Sequence, residues 1–233
     1  MKILSKRFWN NIILKNLNLS EIDINYSTKP TFLNQLCEKF GCDKGFFAEN
    51  EKYFSWHPHN YTDLYDFLFS NQRFTVKKVF ELGIGTNKVF NSKLVRKVLP
   101  GASLRVWKQY FKNAKIFGAD IDKETLFNEK NIKTFYVDQY DSKTIIKMWE
   151  KIRYKDFDLI IDDGCHQFDA TINFFNNSIS RLSDTGYYII EDIYHKDKER
   201  FLRFFKKLDY KYYYIELKNN KKLKDNNLFI IKK

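Results

Sequence analysis

The sequence predicts an α/β fold, a mostly parallel sheet that ends in a C-terminal antiparallel hairpin and is preceded by a short helical N-terminal segment. Three observations predict it. Short β-branched and aromatic runs recur from residue 77 onward, each ending in an acid or a glycine. Helix-length segments lie between them, and strands that alternate with helices form parallel βαβ units. The runs are nearly continuous in apolar residues, as in strands covered on both faces.

Residues 1–28 show weak periodicity and are expected to form a helical arm or cover. Pro30 fits the first turn of a helix running to about Phe40, followed by a loop rich in glycine and charge over 41–52. From Thr62 to Phe69 the sequence is amphipathic, with Leu64, Tyr65, Leu68 and Phe69 on one stripe. Strands are then expected over 79–83, 116–120, 134–138, 158–163 and 187–192, with helices over 142–153 and 168–182. In the tail, 210–217 and 228–232 are strand-like, and the polar stretch joining them leaves no room for a helix. They are therefore expected to pair antiparallel at the sheet edge. The expected organisation is a cover of residues 1–72 and a main domain of 73–233.

Composition narrows the function. With 43% hydrophobic and 18% aromatic residues and only 3 prolines, the chain can bury a sizeable core, which argues against disorder. The net charge of +12 is compatible with an acidic substrate, such as a nucleotide sugar, or with peripheral contact to anionic surfaces. The cations are spread out apart from runs at 196–207 and 218–224, which read first as a solvated face. The 3 cysteines form no disulfide framework, and none is spaced as C-x-x-C. There is no secretory signal and no apolar run long enough to cross a membrane, so a cytoplasmic location is expected. A homo-oligomer is compatible with all of this.

The strand ends carry the chemistry. Ligands bind outside the carboxyl ends of an open parallel sheet. At one such end stands Glu81-Leu82-Gly83-Ile84-Gly85-Thr86, where Gly83 and Gly85 permit a tight turn and close approach of a ligand. Lys88 replaces the third glycine of the dinucleotide fingerprint, so that fingerprint is not met. Glu81, two residues before Gly83, suits a ligand with an ammonium group, such as the amino-acid end of S-adenosylmethionine. Asp120 and Asp122 are placed to accept ribose hydroxyls, and Asp138 and Gln139 to contact an adenine amino group. The next strand ends in Asp162-Asp163-Gly164-Cys165-His166, and the last in Glu191-Asp192. If those strands are neighbours they lie about 4.8 Å apart, and so many carboxylates repel unless a cation intervenes. A hard divalent ion, Mg²⁺ by default, resolves that conflict. His166, beside the cluster, is a candidate base for a substrate hydroxyl.

These stretches, with Gly41-Cys42-Asp43-Lys44-Gly45, His59-Asn60-Tyr61-Thr62-Asp63-Leu64-Tyr65 and the segment 101–107, resemble the metal-dependent sugar O-methyltransferases of the mycinamicin and macrolide-deoxysugar type and their surface-glycan relatives. The similarity covers roughly residues 35–195. It implies the class I methyltransferase fold, S-adenosylmethionine as cofactor and a divalent metal such as Mg²⁺. It implies that Asp163, Glu191 and Asp192 hold the metal and that His166 is the base, and Asp163 is expected to be catalytic beside it. It also implies that Glu81, Gly83, Asp120 and Asp138 hold the cofactor, and Gly85, Thr86, Asp122, Gln139, Asp162 and Tyr61 are expected to complete that site. The family usually has Ser where Cys165 stands, and the chain is short of structure for an acceptor pocket. A sugar hydroxyl on a nucleotide-linked or surface- or capsular-glycan precursor is the expected acceptor. The alternatives are a phosphate or phosphoramidate modification of a glycan, an RNA substrate, or non-catalytic binding of a nucleotide sugar. RNA is disfavoured because no N-P-P-Y-like element or RNA-binding appendage is present.

Overall fold

A computed structural model of the chain describes residues 21–25, 30–45, 56–85, 99–218 and 223–233. Its elements in chain order are β1 (Glu21–Asn25), α1 (Phe32–Phe40), α2 (Tyr61–Phe69), β2 (Lys78–Leu82), α3 (Ala102–Tyr110), β3 (Lys115–Asp120), β4 (Asn128–Glu129) and β5 (Ile132–Tyr136). There follow α4 (Ser142–Ile152), β6 (Phe157–Asp162), α5 (Phe168–Ser178), β7 (Leu182–Ile190), α6 (Lys198–Phe205), β8 (Lys211–Lys218) and β9 (Asn227–Lys232).

The strands form one sheet in the order β1-β8-β9-β7-β6-β2-β3-β5-β4. β2 pairs parallel with both β3 and β6, and β6 pairs parallel with β7. The carboxyl ends of β2, β3, β6 and β7 therefore point the same way, which gathers the acids that follow each strand at one rim. β9 runs antiparallel to β7 and to β8. The tail hairpin is present as expected, but its outer strand is not the edge of the sheet. β1 pairs parallel with β8 and covers it. Within the arm expected to be helical, residues 21–25 are thus a strand; their Glu-Ile-Asp-Ile-Asn alternation has the period of a strand, not of a helix. The rest of 1–20 lies outside the described residues.

Two apolar layers flank the sheet. One joins Leu33, Leu36, Tyr65, Leu68 and Phe69 of α1 and α2 to Trp107 of α3, to Phe111 just after it and to Ile161 and Tyr187 of the sheet. The other joins Phe80, Phe117, Ile160 and Tyr188 to Trp149 of α4, Phe174 of α5 and Phe201 and Phe205 of α6. α1 starts at Phe32, two residues after Pro30, which precedes the cap. Thr31 is its cap, its hydroxyl accepting from the Asn34 N–H at 3.2 Å, and Gly41 ends it in the left-handed region at φ 69°. That sharp end turns the chain back, so that Asp43 and Lys44 run under the sheet rim rather than away from it.

Candidate active site

A cavity of about 830 Å³ opens over the carboxyl ends of the parallel strands. Its wall includes Gly83, Gly85, Asp120, Asp138 and Gln139 on one side and Asp163, His166 and Asp192 on the other. Trp56, Tyr140 and Tyr194 also line it. The strand ends singled out in the sequence thus meet at one cavity, and their side chains divide into those facing it and those behind it.

The glycine turn is shaped by its neighbours. Gly83 and Gly85 have φ of +81° and +83°. A Cβ on Gly83 would stand 1.8 Å from the carbonyl oxygen of Asp163, so only glycine fits between the β2 and β6 ends. Asp120 braces the turn, accepting the Ile84 N–H at 2.9 Å on one oxygen and the Asp122 N–H at 2.9 Å on the other. Each oxygen keeps a lone pair for a further donor. Asp122 uses its carboxylate to cap the 3₁₀ turn Lys123–Thr125, accepting from Glu124 N at 3.1 Å, and is not in the cavity wall. Thr86 lies outside the described residues.

Gln139 is an organiser. Its amide nitrogen donates to both oxygens of Asp162, at 2.8 and 3.0 Å, and its carbonyl accepts the Cys165 N–H at 2.9 Å. Asp162 is buried behind the wall, and burial pushes its carboxyl up to about 7 against the pull of the Gly164 N–H, His166 and Gln139. Asp138 accepts the Tyr140 N–H at 2.9 Å and stays on the cavity side.

Glu81 is fully buried. Trp107 donates its indole N–H to one oxygen at 2.5 Å, and the other lies 3.3 Å from the Lys44 ammonium. Lys44 is the residue that the sequence did not single out. Its ammonium also contacts Asp163 at 2.6 Å and Glu191, whose second oxygen accepts the Tyr65 hydroxyl at 2.6 Å. Burial opposes a charge on Lys44, but Asp163, Glu191 and Glu81 overcome it and hold the ammonium well above its ordinary pKa. No local pattern marks this role, because Lys44 and Glu191 are 147 residues apart.

Asp163, His166 and Asp192 place one donor atom each within 4.8 Å of one another. Asp192 accepts the Tyr61 hydroxyl at 2.5 Å and lies 3.5 Å from a ring nitrogen of both His59 and His166. Burial works against its ionisation, yet His59, His166 and the Tyr61 hydroxyl hold its carboxyl below the ordinary value. Tyr61, expected at the cofactor, thus orients Asp192 from behind. Asp163 differs: burial, only partly offset by Lys44, pushes its carboxyl up to about 7.

His166 and Asp192 both hold positive φ, 56° and 55°, unusual for residues with a side chain. His166 Nδ1 is buried with no hydrogen-bond partner among the described residues, and 3.5 Å to Asp192 is too long for one. The carboxylate oxygens of Asp163 and Asp192 that converge beside this imidazole suit Mg²⁺ or another hard divalent ion. The glycine turn, a cradle that a Cβ would fill, likewise fits a ligand approaching the backbone.

No family model matches the chain. It is 30% identical over 138 residues to 8-demethyl-8-alpha-L-rhamnosyl tetracenomycin-C 2'-O-methyltransferase of Streptomyces olivaceus, covering 59% of this chain and 34% of that protein. It is 32% identical over 136 residues both to demethylmacrocin O-methyltransferase of Streptomyces fradiae and to mycinamicin VI 2''-O-methyltransferase of Micromonospora griseorubida, covering 58% of this chain and 32% of each. The chain spans about a third of the length of these relatives. Among solved structures it is similar to the MycE methyltransferase of the mycinamycin pathway in complex with Mg and SAH, at a TM-score of 0.54 and 28% identity over 71% of this chain and 38% of that one. The chain therefore carries the class I methyltransferase fold, and its sequence is homologous to sugar O-methyltransferases of the macrolide and tetracenomycin type.

Proposed function

We propose that the chain is an S-adenosylmethionine-dependent O-methyltransferase, assisted by a divalent metal, that acts on a sugar hydroxyl. The observation that carries this reading is the convergence of Asp163, His166 and Asp192 in the wall of the cavity that also holds the Gly83–Gly85 turn and Asp120. Methyl transfer is an in-line displacement, so the protein must mainly align the nucleophile and remove its proton.

Gly83 and Gly85 would receive the amino-acid end of the cofactor, Asp120 its ribose and Asp138 its adenine side. Asp163 and Asp192 would hold the divalent ion, which when bound would lower the pKa of an acceptor hydroxyl. His166 would take the hydroxyl proton. Asp192, fixed by the Tyr61 hydroxyl, stands 3.5 Å from the imidazole and would favour the charge that it gains with the proton. Trp56, Tyr140 and Tyr194 offer aromatic faces on which the C–H face of a sugar would lie. The excess of 41 Lys and Arg over 29 Asp and Glu suits an acceptor that carries phosphate, such as a nucleotide-linked sugar or a surface- or capsular-glycan precursor. No helix among the described residues is long and apolar enough to cross a membrane, which is compatible with the cytoplasmic location we propose.

The test is a labelled-methyl screen over nucleotide sugars and glycan precursors, read by mass spectrometry. Transfer should vanish in EDTA and return with Mg²⁺. His166→Ala should lower turnover by about 10²-fold or more while leaving cofactor affinity within a small factor. Full transfer in EDTA, or an unimpaired His166→Ala enzyme, would overturn the reading.

A further inference from the structure

The acid cluster carries a counterion of its own. Lys44 is 3% exposed, and its ammonium contacts Asp163 and Glu191 directly while facing Glu81 at 3.3 Å. The two oxygens of Glu191 are both taken, one by Lys44 and one by the Tyr65 hydroxyl. Glu191 accordingly sits behind the cavity wall, whereas Asp163 and Asp192 are part of it. The carboxylates do not need a metal ion to coexist, because an ammonium already stands among them.

An ammonium in contact with a carboxylate repels any second cation that approaches the same oxygens, and in a buried site that repulsion is poorly screened. Asp163 is claimed from both sides: its Oδ2 is 2.6 Å from Lys44, and the residue also belongs to the Asp163–His166–Asp192 group. We propose that Lys44 is a built-in competitor for the divalent ion. Its ammonium holds Glu191 and Asp163 while no ion is bound, and an arriving ion displaces it from them, freeing Glu191 to join Asp163 and Asp192. The four-carbon stem of lysine allows such a withdrawal without movement of the backbone. The inference rests on the metal-assisted reading above and adds to it what sets the affinity for the ion.

The experiment is Mn²⁺ binding to the full chain, read from the paramagnetic resonance of the free ion without cofactor or acceptor. Lys44→Gln should bind Mn²⁺ about tenfold or more tighter than the wild type, because the competing charge is gone. Lys44→Arg, which keeps the charge, should bind it far more weakly than Lys44→Gln does. Equal or weaker binding by Lys44→Gln would overturn the proposal alone, with the metal reading intact. No binding by the wild type would take both down. Should Lys44→Gln fail to fold, the ¹⁵N-lysine spectrum of the wild type decides. The Lys44 ammonium resonance, identified by its absence from Lys44→Arg, should shift on saturation with Mg²⁺, and an unmoved resonance would overturn the proposal.

Discussion

A side chain on Gly83 has nowhere to go. Its φ is +81°, and its Cβ would overlap the Asp163 carbonyl at 1.8 Å, so the β2 and β6 ends would have to separate. Gly83→Ala should cost about 1–3 kcal/mol of stability and lose most cofactor affinity, as denaturant melts and a cofactor titration would show. A variant with wild-type values of both would mean that the turn is not as tight as described. At Asp162 the expectation concerns pH. Its folded pKa, raised by burial to about 7, exceeds the ordinary 3.8, so the folded chain binds the proton more tightly than the unfolded one. Asp162 therefore contributes most at low pH, and that contribution is lost as pH rises from about 4 through about 7. Asp162→Asn should flatten that slope in melts run in EDTA; a slope equal to the wild type would place the titration elsewhere. Gly83 was legible because a glycine at a strand end leaves a local pattern, whereas Asp162, expected at the cofactor, lies behind the cavity wall with both oxygens on Gln139. Gln139 was legible in position but not in role: only the fold shows that its amide is committed to Asp162 and Cys165.

Elements explain which residues the sequence concealed. β2, β3, β6 and β7 each announce themselves by an apolar run closed by acid or glycine, and their parallel pairing then dictates a common rim. β1 did not, because five residues with two isoleucines carry little signal until β8 offers an unpaired edge. Lys44 stood in a charged loop, where a lysine is ordinarily solvated; only the turn at Gly41 sends it inward. α3 lies beyond a segment outside the described residues, yet it delivers Trp107 to Glu81 at 2.5 Å. Trp107→Phe keeps the ring and removes that N–H, leaving a buried carboxylate oxygen with one donor fewer. A loss of about 1–3 kcal/mol is expected. Chemical denaturation measures it, and a change within error would show that Lys44 alone satisfies Glu81.

On the scale of the molecule, the question is whether residues 1–72 are a cover laid over a finished domain. The sequence invites that division, since the βαβ pattern begins only near residue 77. The packing argues otherwise. Leu33, Leu36, Tyr65, Leu68 and Phe69 share one buried layer with Trp107, Phe111, Ile161 and Tyr187, and Phe69 meets Phe111 and Tyr187 edge-on at 5.5 and 5.2 Å between ring centres. The same segment supplies Lys44 to Glu81, Asp163 and Glu191, and Tyr61 and His59 to Asp192. Without it, one face of the sheet would keep only α3 as cover, and Glu81, Asp163 and Glu191 would lose their cation. We expect a chain of 73–233 alone to lack a cooperative melt, to bind a hydrophobic dye strongly and to lose its near-ultraviolet circular dichroism. A fragment that melted cooperatively with native aromatic dichroism would show instead that the sheet and its remaining helices suffice, and that the first 72 residues are a separable attachment.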